Sequence, residues 1–173
     1  MRDKLNLTIS DTDFDPTYVM GDVSNYATRI ASRGIVMNGE NIALLKVSKL
    51  GFYKLPGGGG VKDSETSEAA FKREIMEEVG CDCKISTNLG EIVEYRDGFK
   101  LKQTSYVFVS DLVGEVGSNH LEPDELAEGF EVMWVTPVEA IKFLQSSTPT
   151  DYEGKFIIKR DLSIINYYLS KVK

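Results

Sequence analysis

At 173 residues, 42% of them hydrophobic and 27% charged, the chain has the size and composition of one soluble globular domain with a substantial core. A net charge of −7 argues against duplex nucleic acid as a partner, because phosphate binding there rests on Lys and Arg. No apolar run reaches the ~20 residues that span a bilayer, and the start Met1-Arg2-Asp3-Lys4-Leu5 lacks the apolar stretch of a leader, so the expectation is a cytoplasmic protein with no membrane partner. Oligomeric state is not written in the sequence, and a homodimer is compatible with it.

Residues 1–27 are polar, with Asp11, Asp13, Asp15 and Asp22 and the breakers Pro16 and Gly21. They read as an N-terminal arm holding at most one short strand, ahead of a single globular domain over 28–173. Thr28 to Met37 has a strand pattern around Ile30, Ile35 and Val36. Asn38-Gly39 is a hairpin turn signal, and Ile42 to Val47 is the returning strand. Phe52 to Leu55 is short and extended, and Pro56 with the four glycines after it reads as a loop.

A helix over residues 66–79 follows, with Asp63, Ser64 and Thr66 as candidate caps and Gly80 as its expected C-cap. Phe71, Ile75 and Val79 recur every four residues and form an apolar stripe. Strands are expected at Lys84–Glu94 and Lys102–Val113, joined by a turn near Asp97-Gly98, then an acidic loop from Asn119 to Glu131 and a short strand at Val132–Val135. Thr136-Pro137 has the cap-then-proline order of a helix start, and a last helix runs from about Lys155 to Leu169. Helices bracket a run of strands, which predicts a mixed α/β layered fold.

Cys81 and Cys83 are too few and too close for a disulfide framework, and they read as small apolar residues at a helix-to-strand junction. The lone His120 argues against His-based triads and His-rich metal sites. Charge is uneven along the chain. Residues 28–62 hold six bases against the single acid Glu40, whereas residues 121–131 hold five acids and no base. The first stretch suits phosphate and the second suits metal.

The most telling pattern lies between Gly59 and Gly80. On the expected helix Glu74, Glu77 and Glu78 stand at i, i+3 and i+4 and share one arc about 100° wide. Like charges so close cost a helix a few tenths of a kcal/mol per pair. A hard divalent cation with oxygen ligands is the natural compensation.

Gly59, Glu65, Arg73-Glu74-Ile75, Glu77-Glu78 and Gly80 stand at the spacing G-x5-E-x7-R-E-U-x-E-E-x-G-U, with U a bulky apolar residue, and this pattern resembles the Nudix box. The lead-in Leu55-Pro56-Gly57-Gly58 also looks like the family's approach. Cys81 replaces the usual apolar last residue, Ser64 stands where Gly is common, and the glycine run, four residues between Pro56 and Val61, is one residue longer than usual. The resemblance implies an α/β/α sandwich with a mixed sheet. It also implies hydrolysis of a diphosphate linkage in a nucleoside diphosphate joined to another group, with Mg²⁺ (or Mn²⁺) as cofactor and a small nucleotide as partner. The alternative is a non-catalytic Nudix-like module that holds a nucleotide for regulation.

Carried onto this sequence, the resemblance implies Glu74, Glu77 and Glu78 as metal ligands with the main-chain carbonyl of Gly59, and Arg73 pairing with Glu65 to hold loop against helix. A later-loop carboxylate is expected as general base: Glu128 first, with Glu125 and Glu131 as fallbacks. Arg33, Lys46 and Lys54 are the expected phosphate contacts. Phe52, Tyr53, Tyr95 and Phe99 are candidates to stack on a base, while Trp134 reads as core. The absence of proline between Pro56 and Pro123 disfavours ADP-ribose. Tyr95 lies near, but not at, the offset of the tyrosine of diadenosine polyphosphate hydrolases. Nucleoside triphosphates, oxidised ones included, stay open.

Overall fold

The computed structural model describes residues 4–172; residues 1–3, where the leader reading begins, and Lys173 lie outside it. Among the described residues, eight strands and four α-helices run in the order β1 (Leu5–Ser10), β2 (Ala27–Asn38), β3 (Asn41–Val47), β4 (Phe52–Lys54), β5 (Gly57–Gly60), α1 (Ser67–Glu78), β6 (Asp82–Arg96), β7 (Leu101–Val113), α2 (Pro123–Glu128), β8 (Phe130–Val135), α3 (Pro137–Gln145) and α4 (Tyr152–Lys171). The strands form one mixed sheet in the order β1-β6-β7-β2-β3-β4, with β5 added on β2 and β8 on β3. β1 lies parallel to β6 and β2 parallel to β7, and the other pairings are antiparallel.

Side chains alternate across a strand, and here both faces are covered. Ile35, Leu44 and Val107 enter one core with Ala140, Leu144, Phe156 and Ile164 of α3 and α4. Their neighbours Val36, Ala43 and Phe108 enter the other, with Phe71, Ile75 and Val79 of α1. Burial on both faces is why β2, β3 and β7 carry near-continuous apolar runs instead of clean alternation. The result is the α/β/α sandwich.

Three local expectations need correction. The glycine run is not a loop: Gly57–Gly60 is β5, paired with β2 at Ala31 and Arg33. The acidic stretch before β8 contains α2, whose N-cap Glu122 donates its N–H to Glu125 Oε2 at 2.8 Å and whose first residue is Pro123. α1 ends at Glu78 with Val79 as its C-cap. Gly80 is the next residue out, left-handed at φ +77°, and its N–H closes on the carbonyl of Ile75.

Candidate active site

α1 starts at Thr66, whose hydroxyl accepts from the Ala69 N–H at 3.1 Å. Its apolar stripe is fully covered, as expected. Glu74 and Glu78 are buried too, because β5 runs over their face. The Gly59 N–H donates to Glu74 Oε2 at 2.9 Å, and the Gly57 N–H donates to Glu78 Oε2. Lys54 Nζ sits 2.9 Å from Glu78 Oε1. This contact requires glycine at 59: a Cβ there would stand 2.1 Å from Glu74 Oε1.

Arg73 binds the helix to the segment before it. Its Nε lies 3.0 Å from Glu65 Oε1, and its Nη2 lies 3.2 Å from both Glu65 Oε2 and the Gly60 carbonyl. Its Nη1 reaches Glu77 Oε2 at 3.0 Å and also Glu74. The bonds from Arg73, and then the Lys62 N–H, hold the Glu65 carboxyl below its ordinary range.

Beside this helix opens a cavity of about 220 Å³. Its walls are Lys54, the glycines of β5 and Glu78. Its mouth carries acids of α2, Glu125 and Glu128 among them, and its floor is basic, with Arg33, Arg96 and Arg160. Burial pushes the Glu125 carboxyl up to about 7, with the charges of Glu78 and Glu74 adding to the effect. Glu128 is also raised, by burial first and then by Asp124.

Behind the floor arginines, burial alone would raise the Glu94 carboxyl, but Arg160, Arg96 and Arg33 outweigh it and bring it down to about 2. A carboxyl held below its unfolded value of 4.5 contributes stability that is complete above that value and lost as pH falls through the folded one. The thermal midpoint is therefore expected to drop between about pH 4.5 and 2, and Glu94→Gln to flatten that part of the profile. Differential scanning calorimetry across that window checks both.

Comparison with known proteins agrees with this arrangement. The family model described as NUDIX domain matches residues 28–154. The chain belongs to the Nudix hydrolase family. Among solved structures it is similar to a NUDIX hydrolase from Nitrosomonas europaea (TM-score 0.63, 12% identity, 84% of this chain and 90% of that one). It is also similar to a MutT NUDIX hydrolase from Burkholderia pseudomallei (0.54, 22%, 77% and 97%) and to an ADP-ribose pyrophosphatase from Streptococcus suis (0.51, 17%, 83% and 92%). No curated protein matches the sequence.

Nudix hydrolases use divalent cations, and the residues here fit such an ion in kind. Glu74, Glu77, Glu78 and the Gly59 carbonyl offer oxygen donors only. In the present arrangement these carboxylates are directed elsewhere. Arg73 takes Glu74 and Glu77, Lys54 takes Glu78, and among the described residues no three acidic, His or Cys side chains are placed to hold a metal. Positive charge already stands against every one of these carboxylates, which is the charge a bound cation would supply.

The other residues singled out from sequence separate clearly. Lys54 and Arg33 line the cavity of this Nudix hydrolase. Lys46 does not: it is 40% exposed on β3 and pairs at 3.9 Å with Glu131, its register partner on β8. That contact also occupies Glu131. Of the four stacking candidates only Phe52 lines the cavity. Tyr53 packs on Phe143, Tyr95 on Tyr26 and Phe99 on Tyr152. Trp134 packs against the α1-side core, and both cysteines are free and buried there. Sequence reasoning missed Phe130, which lines the cavity under Lys54, 4.7 Å from Nζ to ring centre. It missed Arg96, Gln103 and Arg160 as well. The aromatic next to the acidic stretch was a usable signal for Phe130, but nothing local marked the arginines.

Proposed function

We propose that this Nudix hydrolase catalyses the Mg²⁺-dependent hydrolysis of the diphosphate linkage in a nucleoside diphosphate joined to another group, nucleoside triphosphates included, with Mn²⁺ able to replace Mg²⁺. The observation that carries this reading is the set of three carboxylates on one turn of α1, Glu74 and Glu78 gripped by glycine N–H groups and Glu77 by Arg73, beside a cavity that holds both acids and bases. The neighbours named UDP-X diphosphatase and ADP-ribose pyrophosphatase act, by their titles, on that substrate class.

Glu74, Glu77, Glu78 and the Gly59 carbonyl would hold the cation, which when bound would supply charge neutralisation at the phosphates and a more acidic water. Arg73 and Glu65 fix the β5–α1 junction so that the carboxylates keep their places. Lys54, on the cavity wall beside Glu78, would reach a substrate phosphate, and Phe52 and Phe130 offer apolar surface to the rest of the nucleotide.

Water attacks phosphorus, and a carboxylate of α2 takes its proton. Glu128, the first choice from sequence, lines the cavity, but the charges it feels are those of Asp124, Lys54, Asp151 and Glu153. Glu125 is the one that feels Glu78 and Glu74, and we assign the general base to it. The partner is thus a small nucleotide, and the two free thiols suit the reducing cytoplasm in which we place the protein.

A panel of nucleoside diphosphates, triphosphates and diphosphate-linked dinucleotides, run with Mg²⁺ and with EDTA, tests this. Turnover that needs the cation is expected, with Glu125→Gln lowering kcat by about 10²-fold or more and Glu128→Gln changing it far less. Tight nucleotide binding without turnover would instead make the protein a binding module.

A further inference from the structure

Among the described residues, the three buried arginines of the cavity floor are matched by only two buried carboxylates, Glu94 and Asp161, while the third acid in pairing range, Glu153, sits at the exposed rim. Arg33, Arg96 and Arg160 are 3%, 1% and 1% exposed. Arg96 pairs with Glu94 at 3.0 Å and with Glu153 at the rim. Arg160 pairs with Asp161 at 2.7 Å and reaches Glu94 only at 3.4 Å. Arg33 has no carboxylate in ion-pair range among the described residues, and its Nε spends its bond on the Ser105 hydroxyl at 3.1 Å. Arg160 Nη2 and Arg96 Nε are buried without a hydrogen-bond partner among the described residues. A buried guanidinium without an anion is among the costlier features a fold can carry. A forked donor of this kind matches a phosphate.

The position of this floor separates it from the carboxylates of α1. Successive residues of a strand face opposite sides, and β5 shows it. A Cβ on Gly58 would touch the Arg33 guanidinium at 3.1 Å, whereas a Cβ on Gly59 would enter the Glu74 carboxylate. One glycine strand therefore has arginines on one side and metal-binding acids on the other.

We propose that Arg33 and Arg160, backed by Arg96, form a subsite for a phosphate group of the substrate other than the diphosphate under attack, so that the preferred substrate carries an additional phosphate at the end that enters the cavity. This rests on the cavity being the substrate site, as assigned above. Burial and the neighbouring Arg160 charge lower the Arg33 guanidinium to about 9, the direction an anion on the floor reverses. The acids at the mouth oppose a free anion, so inorganic phosphate binds weakly, at millimolar levels, and a whole substrate more tightly.

The test uses inorganic phosphate as probe, in EDTA, with chloride at matched ionic strength as control. The full chain is followed by thermal midpoint and by calorimetry. Wild type is expected to show a saturable rise in midpoint. In Arg33→Met the phosphate response falls at least tenfold in affinity while the phosphate-free midpoint stays level or rises, because an unpaired charge has been removed. Arg33→Lys, which keeps the charge without the fork, falls in between. Glu77→Gln keeps the full response, so loss of metal-dependent turnover and loss of this subsite are read separately. The proposal is overturned if wild type shows no saturable response to phosphate up to tens of millimolar, or if Arg33→Met responds as wild type does. A lower phosphate-free midpoint in Arg33→Met overturns it too, since that marks Arg33 as a structural strut to Ser105.

Discussion

Glutamine at Glu77 or at Glu78 is expected to lower kcat with Mg²⁺ by on the order of 10³, since losing several kcal/mol of charge stabilisation costs about tenfold per 1.36 kcal/mol. The amide keeps the shape and one acceptor oxygen but removes the negative charge that the proposed cation site requires. The two positions differ in what they do for the fold. Glu78 is almost fully buried and accepts from the Gly57 N–H and from Lys54, so Glu78→Gln leaves Lys54, itself only 12% exposed in its side chain, without its counter-charge. Glu77 is 29% exposed in its side chain and shares Arg73 with Glu65 and Glu74, so Glu77→Gln leaves Arg73 well paired. Steady-state kinetics should show similar losses in the two variants. Thermal melts should show a clear drop for Glu78→Gln and little change for Glu77→Gln, whose exposed pair contributes on the order of 1 kcal/mol or less. Equal kinetic and thermal effects in both would mean that the carboxylates act only through the fold.

Asp161→Ala is expected to be the most destabilising single change near the site, at about 3–5 kcal/mol. Asp161 is fully buried on α4. One carboxylate oxygen takes Arg160 Nε at 2.7 Å and the other accepts from the Leu55 N–H at 2.7 Å. Removing it leaves a buried guanidinium short of a partner and strands a buried backbone donor. Because Leu55 sits between β4 and the glycines of β5, the loss also loosens the strand that covers Glu74 and Glu78. Denaturant unfolding followed by circular dichroism measures the effect. Asp161→Asn is expected to retain part of the stability by keeping an acceptor for Leu55. A loss below about 1 kcal/mol for Asp161→Ala would show that water reaches this layer and screens it.

What could be read from the chain divides by range. α1 was legible because its signals are local: a cap at Thr66, a stripe at Phe71, Ile75 and Val79, and acids at i, i+3 and i+4. β2 and β3 were legible from the Asn38-Gly39 turn. α2 was missed although Glu122-Pro123 has the order used to find α3 at Thr136-Pro137; its acidic, six-residue span lacks the apolar period that marked the others. β1 is the one short strand expected in the arm, but its place in the sheet was not legible. It joins the sheet parallel to β6, 85 positions later in register from Leu5 to Gly90, and a parallel edge strand has no hairpin to announce it. The basic floor was out of reach for the same reason. Arg33 was expected to meet phosphate, but Arg96 and Arg160 join it only once β2, β6 and α4 are placed, and those two alone read as ordinary surface charges. Lys46 shows the reverse, since its place in a basic stretch suggested phosphate while its register opposite Glu131 sends it elsewhere.

The measurement that bears most directly on the account is a crystal soaked in Mn²⁺ and examined by anomalous scattering. The account predicts a peak between Glu74, Glu77, Glu78 and the Gly59 carbonyl, with Arg73 and Lys54 drawn back from the carboxylates they now hold. A soaked crystal with no peak there, and with Arg73 and Lys54 still in place, would contradict it.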